Sequence, residues 1–283
     1  MAGRTVWYPG HMAKGKRALE ELASKLDVLL EVRDARAPRL TASFQAQELR
    51  RLRPVWVILA KRDLAEEGVT ASWLRWLERD GGRAWAMDLR KGRLDYLRRA
   101  LREMAPGHRE ARVAVVGVPN VGKSLLLNQL LGGAHRAPVG GIPGITKGVS
   151  WYRVEGNLLV VDSPGILDPK AEAGIQRSLA WLGSSKGEVI GGAESLAVDL
   201  LRYLRDHGLW GVVERTWGVC PSEIPEGAEE PDDLDLLGRR LGCLLRGNRV
   251  DRELAGRRLL DAFSQGKVGP LSLERPGEGG GGA

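Results

Sequence analysis

The sequence predicts a doubly wound α/β nucleotide-binding domain followed by a smaller all-α domain, and three observations predict it. Short apolar runs alternate with amphipathic helical stretches between residues 27 and 162, the pattern of a parallel sheet covered by helices. Gly117-Val118-Pro119-Asn120-Val121-Gly122-Lys123-Ser124 fits the P-loop pattern G-x-x-x-x-G-K-[ST] and lies between an apolar run and a helical one. Beyond about residue 172 the strand signals stop and only helical patterns remain. The expected division is 1–171 for the nucleotide domain with a basic segment at 1–16, 172–275 for the helical domain, and a disordered Gly-rich tail at 276–283.

Taken in order, Ala13 to Lys25 carries apolar residues at three- and four-residue steps and reads as a helix. Asp27 to Val32 reads as a strand, 43–52 as a helix and Pro54 to Leu59 as a buried strand. A helix over 70–80, a short strand from Ala84 to Met87 and an Arg-rich helix from Leu94 to Met104 follow. Ala111 to Val116 is the strand before the P-loop, and Leu125 to Leu131 the helix after it. Val149–Val154 and Leu158–Val161 read as paired strands, and then come helices at 174–182, 192–206, 209–215, 232–245 and 251–264. Trp73, Trp76, Trp181 and Trp210 fall at helical positions expected to be core or interface.

Composition narrows the class. At 43 % hydrophobic and 28 % charged the 283-residue chain is an ordinary globular protein. Two cysteines, Cys220 and Cys243, are too few for a disulfide framework or a zinc site, and Cys243 reads as a small buried hydrophobe. No apolar run approaches a membrane span and the first 16 residues lack a secretory h-region, so a cytoplasmic protein is expected; a monomer is a separate expectation. The net charge of +7, with 33 arginines against ten lysines, favours a polyanionic partner such as RNA. The same bias also suits a GC-rich or thermophilic source.

The P-loop carries the chemistry. Backbone N–H groups of Asn120, Val121, Gly122, Lys123, Ser124 and Leu125, at a helix N-terminus, would cradle phosphates. Lys123 would reach the β- and γ-phosphates and Ser124 would ligate Mg²⁺. Asp162-Ser163-Pro164-Gly165 has the form D-x-x-G; Asp162 would hold Mg²⁺ through water and the Gly165 N–H would bond the γ-phosphate. Alone that pattern is weak, but one strand pair after a P-loop it is specific. Thr146, between the two motifs, is the natural second Mg²⁺ ligand or else a plain loop hydroxyl. In Ala60-Lys61-Arg62-Asp63, ending a strand, Asp63 could accept from guanine N1–H and the 2-amino group while the Lys61 stem lies over the purine. In isolation that box also reads as an ordinary strand-ending charge pair.

The box precedes the P-loop, whereas in most GTPases an N-K-x-D box follows the P-loop, the switch threonine and D-x-x-G. With Trp7-Tyr-Pro-Gly-His-Met-Ala-Lys14, Asp34-Ala-Arg-Ala-Pro38, Gly242-Cys-Leu-Leu-Arg-Gly247 and Gly269-Pro-Leu-Ser-Leu273, the chain resembles the circularly permuted GTPases of the ribosome biogenesis GTPase A (YlqF) family almost end to end. The resemblance implies GTP hydrolysis stimulated by the ribosome and action late in large (50S) subunit assembly. Precursor particles and rRNA would be bound in a nucleotide-dependent manner, partly through the helical domain. It implies Mg²⁺ as cofactor, a K⁺ ion beside Asn120, a base-backing loop at Asp88 and Leu89, and a catalytic His11 alongside Lys123. Ile166, after D-x-x-G, cannot orient water, whereas His11 in its basic Gly-flanked segment could orient water or take its proton, or else contact RNA or pack. Position 60 is Ala where the family has Asn, which removes one purine contact and one tie to the P-loop. Two other readings are a permuted GTPase serving the small subunit and a nucleotide-gated RNA-binding scaffold with negligible turnover. The basic N-terminal segment, with Trp7 and Tyr8, and the helix from Arg93 to Arg102 are candidate RNA surfaces or solvated faces.

Overall fold

The computed structural model describes residues 23–92, 94–132, 151–154, 157–162, 172–185, 191–220 and 230–277. The chain falls into two compact units that interleave in sequence. One takes Met1–Asp34, Ala42–Lys61 and Trp73–Leu167; the other takes Ala35–Thr41, Arg62–Ser72 and Asp168–Ala283. A single cut at 171/172, as the sequence reading places it, does not reproduce that interleaving.

The first unit holds a six-stranded sheet of β1 (Val28–Asp34), β2 (Val55–Ala60), β3 (Arg83–Met87), β4 (Ala111–Val116), β5 (Trp151–Val154) and β6 (Leu158–Asp162). The order across it is β3-β2-β1-β4-β6-β5, and every pairing is parallel except β5 with β6. Strands in the middle of a parallel sheet lose both faces to the core, which is why VLLEVRD and ARVAVV read as near-continuous apolar runs. All seven residues of β1 are buried. Leu29, Ala114, Val116, Trp151 and Val161 pack together on one side of it.

Two polar devices set how the strands meet. Asp27, just before β1, accepts both arms of the Arg109 guanidinium at 2.7 and 2.8 Å and the Arg112 amide at 2.8 Å, fixing the start of β1 to the start of β4. Burial raises the Asp27 carboxyl, but Arg109, the Arg112 amide and both positive charges outweigh it and hold it below the usual aspartate range. Glu31, fully buried in β1, accepts from Arg33 at 2.7 Å and from the Ser43 amide at 2.6 Å. A buried carboxylate is tolerated only when so partnered. It also fixes the entry to helix α1 (Phe44–Leu49), whose N-cap is Ser43. Helices α2 (Glu67–Glu78), α3 (Asp95–Met104) and α4 (Lys123–Leu130) complete the first half of the chain.

The second unit is built on α5 (Ala173–Trp181), α6 (Gly192–Asp206), α7 (Gly211–Trp217), α8 (Glu230–Arg240) and α9 (Arg252–Ser264). Leu200, Leu204, Trp210, Leu237, Leu259 and Phe263 lie in its core. The segment after β1 belongs here: Arg36, 2 % exposed, donates to the Phe263 carbonyl at 2.7 Å, and the Leu273 amide donates to the Arg36 carbonyl at 2.8 Å. Likewise the Leu271 amide donates to the Leu64 carbonyl and the Glu66 amide to Ser272 Oγ. Trp73, Trp181 and Trp210 are buried as expected, and Cys243 is fully buried. The helix read over 232–245 ends at Arg240, because the chain turns back and Leu244 pairs antiparallel with Val250. The helix read over 70–80 starts earlier, at Glu67, where an acidic first-turn residue suits the helix dipole.

Candidate nucleotide site

The P-loop leaves β4 and enters α4 through backbone conformations that specify its residues. Gly117 has φ 150° and a Cβ there would lie 2.5 Å from the Val32 carbonyl oxygen, so β1 presses directly on the loop. Asn120 has φ 57°, a left-handed conformation in which Asn is one of the few tolerated side chains. Gly122 has φ 118° and caps α4, its carbonyl accepting from the Leu126 amide at 2.9 Å. The early amides of α4, from Lys123 through Leu125, have no intrahelical acceptor, which is the phosphate-binding arrangement. Val121 is buried beneath the loop, while Asn120, Ser124 and Leu125 are exposed. Lys123 is largely buried, and its Nζ donates to the Val118 carbonyl at 2.8 Å, so the ammonium lies against the loop that it serves.

The purine side comes from β2 and the turn after β3. Ala60 ends β2 with no exposed surface. A Cβ on Gly122 would lie 3.3 Å from Leu89 Cδ1 and 3.5 Å from Ala60 Cβ, so Ala60 and Leu89 form an apolar brace under the P-loop. The sequence reading placed Leu89 in the base-backing loop; the structure buries it against the loop glycine. Asp88 caps the short 3-10 turn Leu89–Lys91 by accepting from the Arg90 amide at 3.0 Å. Burial raises its carboxyl, but the bonds from Arg90 and the charges of Arg90 and Lys91 bring it below the usual range. Lys61 follows with φ 57°, at a cost of about 1 kcal/mol for an L-residue, and its Nζ pairs with Asp34 Oδ2 at 2.9 Å. Asp34 is the residue that sequence reasoning missed. It stood in a motif that carried only family resemblance, and its signal was a lone acid ending an apolar run. Arg62 is exposed and pairs with Glu67 at 3.3 Å, and Asp63 is half-buried in the 3-10 turn Arg62–Leu64.

On the γ-phosphate side, Asp162 is the last residue of β6 and stands in register with Val115 of β4. The ends of two adjacent strands therefore bring the D-x-x-G aspartate beside the P-loop strand. His11, Thr146 and Gly165 lie outside the described residues. Ser124, exposed at the start of α4, carries a hydroxyl oxygen, a hard donor of the kind Mg²⁺ takes. Among the described residues there is no cluster of three or more His, Cys, Asp or Glu that could hold a metal by itself. A magnesium shared with nucleotide phosphates needs only one or two protein ligands.

Comparison with known proteins agrees with this geometry. A family model described as 50S ribosome-binding GTPase matches residues 112–197, from the P-loop strand into α6. Ribosome biogenesis GTPase A of Bacillus cereus is 31 % identical over 293 residues, covering 96 % of this chain and 94 % of its own. The Thermotoga maritima protein of that name is 33 % identical over 270 residues, covering 95 % and 94 %. Mitochondrial ribosome-associated GTPase 1 of Bos taurus is 31 % identical, covering 97 % of this chain and 90 % of its own. The crystal structure of GNP-bound YlqF from T. maritima matches with a TM-score of 0.65 at 26 % identity, over 93 % of this chain and 99 % of that one. A P-loop after the fourth strand, a base-reading box before it and full-length likeness above 30 % lead to one conclusion: the chain belongs to the ribosome biogenesis GTPase A family of circularly permuted P-loop GTPases.

Proposed function

We propose that this ribosome-assembly GTPase acts on the large subunit, binding precursor particles and their rRNA in a manner set by its bound nucleotide. The observation that carries the RNA half of this reading is the surface formed by the turn between α8 and α9. Arg239, Arg240, Arg246, Arg249 and Arg258 are all exposed there. The turn is held in shape by Arg239 donating to the Asn248 carbonyl at 3.3 Å, by Arg258 donating to the Leu241 carbonyl, and by the Leu245 amide donating to the Arg249 carbonyl at 2.8 Å. Five exposed guanidinium groups about one turn suit phosphate backbones, since each presents a planar donor fork. The 50S label of the matching family model supports the choice of subunit.

At the catalytic end, Lys123 neutralises charge on the β- and γ-phosphates, and the α4 amides hold the phosphates in place. Ser124, Thr146 and Asp162 through water would hold Mg²⁺, which would supply positive charge against that developing on the phosphates. Asn120, exposed at the head of the loop, offers an amide oxygen for K⁺. His11 supplies the water-orienting group that Ile166 cannot. Among the described residues no helix is long and apolar enough to cross a membrane.

The test is GTP hydrolysis by wild type and His11→Ala in potassium buffer, each with and without purified large-subunit precursors. Stimulation by the particle that disappears in the variant is the expected result. Stimulation only by small subunits would move the assignment to that particle. Full stimulation of His11→Ala would remove His11 from the chemistry.

A further inference from the structure

We infer that Asp34 is the positioning residue for the purine side of this site. Its carboxylate pins Lys61, the lysine whose stem would lie against the base. Asp34 ends β1 and stands in register with Ala60, so the acid and Lys61 meet at the same end of two paired parallel strands. The Asp34 side chain is fully buried, and the ammonium of Lys61 is 2.9 Å from Oδ2. Losing the cation would leave a carboxylate buried without its counter-charge, so the pair is costly to break. The lysine is thereby fixed at both ends, at its backbone by β2 and at its nitrogen by Asp34. Its four-carbon stem becomes an ordered rail whose rotamer entropy is already lost before a base arrives.

Position 60 cannot do this work. Its methyl group faces the P-loop glycine beside Leu89, an apolar contact with no donor or acceptor. The box is tied to β1 by the Asp34–Lys61 ion pair. Orientation of the purine therefore runs through Asp34 and Lys61, while the phosphates depend on the loop.

That separation gives the test, which needs no ribosome and so stands apart from the proposal about the large subunit. Equilibrium binding of GTP, GDP and inorganic tripolyphosphate is measured for wild type, Asp34→Asn, Lys61→Met and the double variant, with melting curves as a folding control. Asp34→Asn is expected to weaken GTP and GDP about tenfold or more, the effect of losing a buried charged hydrogen bond. Tripolyphosphate should stay within about twofold, because it never meets the rail. Lys61→Met keeps most of the stem but frees it, and should lose about as much as Asp34→Asn, with the double variant no worse than either. Equal losses for GTP and tripolyphosphate would mean that Asp34 merely supports the fold. Unchanged GTP affinity in the double variant, which leaves no buried carboxylate without its cation, would overturn the inference outright.

Discussion

The phosphate side and the purine side of the nucleotide site are built on opposite principles. The phosphate side is made of backbone, shaped by Gly117, Asn120 and Gly122 at φ values of 150°, 57° and 118°. The purine side is made of side chains: the Ala60 and Leu89 brace, the Asp34–Lys61 pair and the Asp88 cap. Backbone recognition depends on a few residue types that alone reach those conformations. Side-chain recognition can be changed one contact at a time.

The largest break in that contrast is expected from Gly117→Ala. Its methyl would sit 2.5 Å from the Val32 carbonyl at a φ of 150° that L-residues avoid. A loss of about 3 kcal/mol in denaturant unfolding, with nucleotide binding abolished, is expected. Leu89→Ala comes next. Removing a leucine only 3 % exposed should cost about 2–3 kcal/mol and loosen both halves of the site, since the brace touches the loop. If calorimetry showed GTP affinity unmoved by that loss, the two sides would be more independent than the Gly122 contact implies.

Asp27→Asn tests the seam beneath the site and should cost about 1–2 kcal/mol at neutral pH. Its folded carboxyl titrates below the unfolded one, so the stabilisation is complete above the ordinary aspartate value and is lost as pH falls through the depressed folded value. Wild type and variant should therefore converge in strongly acid melts and diverge towards neutrality. Smallest is Ala60→Asn. Restoring one hydrogen bond should tighten GTP by about 2- to 13-fold. An unchanged dissociation constant would mean that Leu89 and the loop leave the amide no room.

The same contrast explains how much could be read from the chain alone. The P-loop, the β2 box and the sheet they require were legible, because turn glycines and buried parallel strands leave strict local signatures. Asp34 was not, because its partner is 27 positions away and the link exists only once β1 and β2 align. Leu89 looked like a base contact from its place after β3, and only packing shows that it faces the P-loop. Helix ends slipped for a similar reason: α8 stops at Arg240 to let Leu244 meet Val250, a pairing that periodicity does not announce.

The strand order β3-β2-β1-β4-β6-β5 has one more consequence. It divides the sheet into two half-sheets, each continuous in the chain, that meet along a single line where Val28–Glu31 pairs with Val113–Val116. Joining the same two halves in the other order yields the P-loop-first arrangement of most GTPases with that line unchanged. The rearrangement is thus an exchange of modules that leaves every strand neighbour in place. It also sets an order of events at birth. Translation delivers the half that carries Ala60 and Leu89 first, and Gly122 meets them only when the second half docks. A guanine nucleotide can then be gripped at both ends only after the two halves have zipped together, so its capture marks completion of the sheet.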